Sequence, residues 1–207
     1  MRVAILGGTG SFGRALAARL VAAGEDEVVI GSRDAERAAV VAGELGAARG
    51  STNDDAVRSV DLAVLAVKAD AALGTVRETA AALDETPLLS VASVLAFARD
   101  GVRPDADGRS LAERVQDAVR GPVAAGLHSI AAANLGESPP DEDAFVCGDD
   151  PDAKRLALEL AGKVVRGRAL DAGPLATART LEGLTAVIVN LNRRYRAHAG
   201  IRVTGLP

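Results

Sequence analysis

Cysteine occurs once, at Cys147, tryptophan is absent, and aromatic residues make up 2% of the 207-residue chain. A lone cysteine excludes an intramolecular disulfide and a cysteine-based zinc site, and Cys147 ends an apolar run where a thiol packs as a small hydrophobe. Lysine is almost as scarce, with only Lys68, Lys154 and Lys163, and no basic stripe carries interleaved aromatics. With a net charge of −4, this speaks against a nucleic-acid groove. No apolar run approaches the length of a membrane span, and the chain opens directly into an apolar strand pattern without a charged leader and cleavage site. The expectation is a cytoplasmic protein with no nucleic-acid partner, no membrane partner and no metal site.

What the chain does contain is alternation. Apolar runs of strand length, at residues 3–6, 27–30, 62–67 and 87–91, are separated by amphipathic stretches of helix length at 11–23, 34–45 and 69–83. Near-continuous apolar strands interleaved with helices require a parallel sheet covered on both faces, wound right-handedly. Beyond these, residues 100–107 are polar with Gly101 and Pro104 and read as a long surface loop. A helix at 111–119, a strand at 123–126, a short helical stretch from Ser129, a polar loop at 136–143 and a strand at 144–147 follow. Asp150-Pro151 reads as the cap and first residue of a helix reaching about Gly162, and a strand at 164–170 comes next. The longest helix spans about 176–196, with Leu181, Leu184, Val187, Ile188 and Leu191 on one stripe. The expected fold is α/β, a doubly wound, mostly parallel Rossmann sheet with a small C-terminal α/β extension ending in a long helix. Residues 1–126 form its nucleotide-binding domain and residues 127–207 a smaller part that completes the second-substrate site. The last helix carries a stripe wider than one packing face needs, which points to a homodimer.

The first strand runs into Gly8-Thr9-Gly10-Ser11-Phe12-Gly13, a G-x-G-x-x-G that opens a helix. Gly8 is read as making the tight turn, Gly10 as admitting the pyrophosphate to the backbone, and Gly13 as letting helix and strand pack closely. At the end of the second strand, where a ribose-binding acid would mark NAD(H), the chain has Gly31-Ser32-Arg33, with Arg37 one helical turn on. A hydroxyl and two guanidinium groups suit an extra 2′-phosphate, so the dinucleotide is NADP(H). Asp34 is expected to cap the following helix and so to stay out of the site.

With these residues in place, the chain resembles the NADPH:coenzyme F420 oxidoreductases. The resemblance is carried by the opening residues 1–10, the Val29-Ile30-Gly31-Ser32-Arg33 segment and Asp61-Leu62-Ala63-Val64-Leu65. It continues through Leu127-His128-Ser129-Ile130, Val146-Cys147-Gly148-Asp149-Asp150, Asp171-Ala172-Gly173-Pro174-Leu175, Arg179, Glu182, Asn190 and Gly200-Ile201. It implies hydride transfer between NADP(H) and the 8-hydroxy-5-deazaflavin coenzyme F420. It implies further that Thr9, Ser32, Arg33 and Arg37 hold phosphate, that His128 and Ile130 stand beside the deazaflavin as catalytic and ring-contacting residues, and that Gly200-Ile201 closes the site. Three positions depart from the family pattern. Lys68-Ala69 replaces a proline and a bulky residue after Val67, Ser90-Val91-Ala92-Ser93 replaces a proline-containing turn, and Ala199 replaces a larger aliphatic. Val67 and Lys68 are counted with the cofactor-binding residues, although an exposed loop lysine is the plainer reading of Lys68. Two other functions fit the sequence: an NADPH-dependent reductase of a small imine or carbonyl compound, and a non-catalytic NADP(H)-binding regulator.

Overall fold

The computed structural model describes residues 1–24, 27–46, 49–135 and 138–206. Gly136 and Glu137, at the start of the expected polar loop, and the final Pro207 lie outside them. The chain begins β1 (Arg2–Leu6), α1 (Ser11–Ala23), β2 (Glu27–Ser32), α2 (Ala35–Leu45), β3 (Arg49–Thr52), α3 (Asn53–Ala56), β4 (Leu62–Leu65), α4 (Ala69–Leu83) and β5 (Leu88–Ser90). It continues β6 (Leu95–Ala98), β7 (Gly101–Pro104), α5 (Leu111–Gln116), β8 (Val123–Gly126), β9 (Ala144–Gly148), α6 (Pro151–Val164), β10 (Ala169–Asp171) and α7 (Ala178–Tyr195).

Among the described residues one sheet has the order β10-β9-β8-β5-β4-β1-β2-β3. Every neighbouring pair is parallel except β8 and β9, so the expected mostly parallel sheet is what forms. Along β1, Val3 and Ile5 enter one apolar core while Ala4 and Leu6 enter the other. β4 divides in the same way, Leu62 and Val64 against Ala63 and Leu65. Strands with both faces buried have no polar side, which is why they read as unbroken apolar runs. One core is closed by Leu16 and Leu20 of α1 and Leu160 and Val164 of α6, the other by Val76 of α4, Val115 of α5 and Leu181 of α7. From β1 the chain winds outward through β2 and β3, then returns to β4 on the other side of β1. Strand order therefore reverses between β1 and β4, and the crevice at their carboxyl ends is where such sheets bind ligands.

Several expectations change. The expected loop at 100–107 is half of an antiparallel hairpin: β6 and β7 pair Ala98 with Gly101 around the two-residue turn Arg99-Asp100. Asn190 of α7 fastens this hairpin, accepting from the Val102 amide and donating to its carbonyl, both at 2.8 Å. The expected strand at 164–170 shrinks to β10, because α6 continues to Val164 and the chain turns before Ala169. The helix expected at 111–119 ends at Gln116, whose side chain instead donates to the Gly121 carbonyl and accepts from the Val123 amide. The helical stretch expected from Ser129 is one 3₁₀ turn at Ala132–Asn134. β3 and α3 had no counterpart in the sequence reading.

Candidate functional site

The carboxyl ends of β1, β2, β4, β5 and β8 form one edge. Because β9 and β10 run the other way, their first residues start at that same edge. The glycine loop leaves β1 there. Its left-handed residue is Gly7 (φ 77°), not Gly8 as expected, and the Gly7 and Gly8 amides both donate to the Gly31 carbonyl, at 3.1 and 3.0 Å. Those bonds fix the loop directly against the end of β2. A Cβ on Gly13 would stand 2.5 Å from the Gly7 carbonyl oxygen, so only glycine lets α1 start this close to the loop. Among the described residues no side chain caps α1, and its first turn holds no acid, which leaves the first-turn amides free to meet a phosphate. Thr9 is partly buried, Gly10 and Ser11 are exposed at the mouth, and Phe12 packs on the core beneath.

Ser32 is the last residue of β2 and is buried. Its Oγ accepts from the Asp34 amide at 3.2 Å, which leaves the hydroxyl hydrogen free to donate outward. Asp34 accepts from the Arg37 amide at 3.1 Å as the cap of α2, so this carboxylate is committed to the helix as expected. Arg33 and Arg37 are exposed, and neither forms an ion pair among the described residues. A free amide end, a free hydroxyl and two unpaired guanidinium groups at adjoining strand ends fit a pyrophosphate with a further phosphate beside it. On the β4 side, Val67 packs against the same loop, its Cγ1 2.5 Å from where a Gly7 Cβ would stand, and Lys68 next to it is exposed.

His128 follows β8 across the left-handed Leu127 (φ 60°), so its ring is held in a strained turn. The residue is only 6% exposed, and neither ring nitrogen has a hydrogen-bond partner among the described residues. Burial lowers its pKa to about 4, the Ala92 backbone opposing only in part. Its carbonyl accepts from Thr185 Oγ1 at 2.8 Å, and that hydroxyl meets Ser93 Oγ at 2.9 Å, tying the turn to α7 and to the segment after β5. Ser90 Oγ and Ser129 Oγ, at the same edge, are also buried without partners among the described residues. Ile130 is buried in the core that α1 closes.

Acidification has a predicted cost here. In the unfolded chain His128 titrates near 6.5, so stability is complete above that pH and falls as pH drops toward 4, by about 3 kcal/mol in all. Glu142 and Glu182, buried with raised pKa values, act in the opposite sense. Denaturant unfolding of the protein and of a His128→Gln variant at pH 7.5 and 5 separates them: the variant loses less stability on acidification.

The Gly200-Ile201 segment is strapped to the same edge by a clasp that the sequence did not show. Asp143 accepts from the Arg168 amide, from Arg168 Nη2 and from the Val203 amide at 2.8 to 2.9 Å, and its own amide donates to the Ile201 carbonyl at 2.7 Å. The Arg168 guanidinium beside it holds the Asp143 carboxyl well below the usual carboxylate range. Glu142 is buried against Gly200, with Oε1 accepting from Asn134 Nδ2 at 3.0 Å, and no Cβ would fit at residue 200. Arg202 pairs with Asp141 outside. The remaining expected chemistry is quiet: Cys147 is buried, its thiol pushed up to about 12, and acts as packing. Among the described residues no cluster could hold a metal ion, and no helix is long and apolar enough to cross a membrane.

Fold and edge together define an NADP-dependent oxidoreductase built on a doubly wound sheet. A model of the family described as "NADP oxidoreductase coenzyme F420-dependent" matches residues 2–94. Over its whole length the chain is 38% identical to the F420-dependent NADP reductase of Methanothermobacter thermautotrophicus, covering 96% of that protein. It is 34% identical to the enzyme of the same name from Methanocaldococcus jannaschii, covering 99% of it. The chain belongs to this family of coenzyme F420-dependent NADP oxidoreductases. Among solved structures, a protein from Arthrobacter sp. FB24, provisionally described as an F420-dependent NADP reductase, shares the fold (TM-score 0.85, 24% identity, 99% and 100% of the two chains). A pyrroline-5-carboxylate reductase from Coxiella burnetii shares it at TM-score 0.67 and 15% identity, over 94% of this chain and 65% of that one.

Proposed function

We propose that this chain, in the cytoplasm, transfers a hydride between NADP(H) on its glycine loop and coenzyme F420 beside His128. One observation carries the reading. The uncapped start of α1 and Arg33 and Arg37, unpaired among the described residues, lie on the same sheet edge as a buried histidine whose ring nitrogens form no hydrogen bond among those residues. The amides of Thr9, Ser11, Phe12 and Gly13 hold the pyrophosphate, while Gly8 and Gly10, whose amides are taken by the Gly31 and Gly7 carbonyls, shape the loop around it, and Ser32, Arg33 and Arg37 hold the 2′-phosphate. Val67 and Lys68 border the nicotinamide side. Residues 1–126 thus supply the dinucleotide half, and residues 127–207 complete the other.

Once bound, the two coenzymes bring both reacting carbons, so the protein need not add a nucleophile. The chain's task is to orient, to exclude water and to place one hydrogen bond. His128 is neutral at working pH and donates an N–H to the polar edge of the deazaflavin, which gives its unpartnered ring a partner. Ile130 and the Gly200-Ile201 strap complete the apolar surroundings of the ring. Mixing the protein with NADPH and oxidised F420 bleaches the deazaflavin absorbance, and NADH at the same concentration does so far more slowly. Absence of bleaching, with NADPH still bound, contradicts the reading and leaves a reductase of another substrate or a non-catalytic binder.

The partner for the outer face of α7 is a second copy of the chain. Leu181 and Ile188 are buried as core, but Val187, Leu191 and Tyr195 are 52%, 41% and 68% exposed at successive turns of one face. An apolar row of this kind meets its own copy across a two-fold axis. Light scattering gives the mass of a dimer, and Val187→Glu shifts it toward the monomer without lowering NADPH affinity.

A further inference from the structure

Beside the crevice, a cavity of about 640 Å³ opens between the start of α4, the β6–β7 hairpin and α5. Two of the three family departures meet here, since Lys68, Ala69 and Ser93 all line it. Its apolar wall includes Leu73, Leu111 and Phe97, the last 71% exposed on β6. Two cations, Lys68 and Arg114, stand on its lining, the second of them paired with Asp107. Lys68 is exposed and forms no ion pair among the described residues. Arg114 pairs with Asp107 at 3.2 Å through Nη1, while its Nε is buried without a hydrogen-bond partner among the described residues. Among the described residues Asp70 is the one acid on the lining. Among the described residues no side chain caps α4, so its amide end faces the wall with Asp70 in its first turn. The cavity also adjoins both halves of the site. Lys68 follows Val67, which packs on the glycine loop, and Ser93 is linked through Thr185 to the His128 carbonyl.

We propose that this cavity is a subsite for the anionic, phosphate- and carboxylate-bearing tail of the deazaflavin substrate, with Lys68 as its principal anchor. The proposal rests on the function stated above. A ligand lodged here has its ring at the crevice and its charged end between Lys68 and Arg114, with aliphatic linker atoms against Leu73 and Phe97. In place of the proline and bulky residue of the family pattern, a lysine and an alanine supply both the charge and the room for it.

The test compares F420 with 8-hydroxy-5-deazariboflavin, the same ring without the anionic tail, using NADPH as donor. In the unaltered protein the KM for F420 rises with added salt while that for the tail-less compound stays nearly constant, because only the former pairing is screened. In Lys68→Glu the ratio of kcat/KM for F420 to that for the tail-less compound falls by about tenfold or more. A ratio unchanged by Lys68→Glu, or equal salt dependence for both compounds, overturns the subsite. Failure of the unaltered protein to reduce either compound overturns the function on which it rests, a different outcome from reduction of both with no preference.

Discussion

Replacing Arg33 with alanine weakens NADPH binding by roughly ten- to a hundredfold and changes NADH binding less than about twofold. The magnitude is that of one charge-assisted hydrogen bond to phosphate, about 1.5–3 kcal/mol. Selectivity follows from position: Arg33 lies just past the last residue of β2, where only the 2′-phosphate distinguishes the two dinucleotides. The protein fold does not depend on it, since the side chain is exposed and makes no ion pair among the described residues. Arg37→Ala acts in the same direction, and the double variant approaches parity between the two coenzymes. Calorimetric titration of each variant with NADPH and with NADH checks this. Equal losses for both would show Arg33 to be a structural residue.

Asp143→Ala loosens the C-terminal strap. The substitution strands the Arg168 and Val203 amides and removes the carboxylate partner of the Arg168 guanidinium, which keeps its bond to the Val203 carbonyl. The carboxylate is inaccessible to solvent, but Arg168 is one-third exposed, so water repairs part of the loss. The expected cost is about 2–3 kcal/mol, which for a chain of this length lowers the melting temperature by roughly 5–10 °C. The functional signature is a raised KM for the deazaflavin with the NADPH affinity preserved, because the strap stands on the His128 side of the edge and the glycine loop on the other. Cleavage by a protease within residues 197–206 accelerates in the variant. A variant with normal melting temperature and intact KM would remove the clasp from the site. Acid acts on the same bond: with its folded pKa depressed, Asp143 stabilises fully above the ordinary aspartate range and loses that contribution as pH falls below it.

Why some of this was legible and some not follows from where each signal resides. The central strands β1, β2 and β4 are buried on both faces, so residues 3–6, 28–30 and 62–65 stand out as apolar runs. β3 is an edge strand of Arg49, Gly50, Ser51 and Thr52, with no apolar residue to betray it; Gly50 is needed because a Cβ there would strike the α2 backbone at Ala38. The β6–β7 hairpin turns at Arg99-Asp100, one residue before the Asp100-Gly101 pair that would mark a turn, and Arg103 and Pro104 make the returning strand look like loop. The glycine loop, the end of β2 and the Asp34 cap were readable because their geometry is local, each set within a few residues. Even so, the turn falls on Gly7 instead of Gly8, since the doubled glycine fits either register. The clasp was not readable. Asp143 finds Arg168 and Val203 at separations of 25 and 60 residues, and nothing in a run of three acids says which neighbour will be buried. The same holds for Thr185, which meets His128 from 57 residues away.

The most direct measurement follows the hydride itself. NADPH carrying deuterium at the transferred position of its nicotinamide is mixed with the protein and oxidised F420, and the reduced deazaflavin is examined by mass spectrometry. Direct transfer between two coenzymes clamped at one sheet edge delivers the deuterium to the deazaflavin, with none lost to solvent. Reduced deazaflavin without the label, or no reduction while NADPH remains bound, contradicts the joint site.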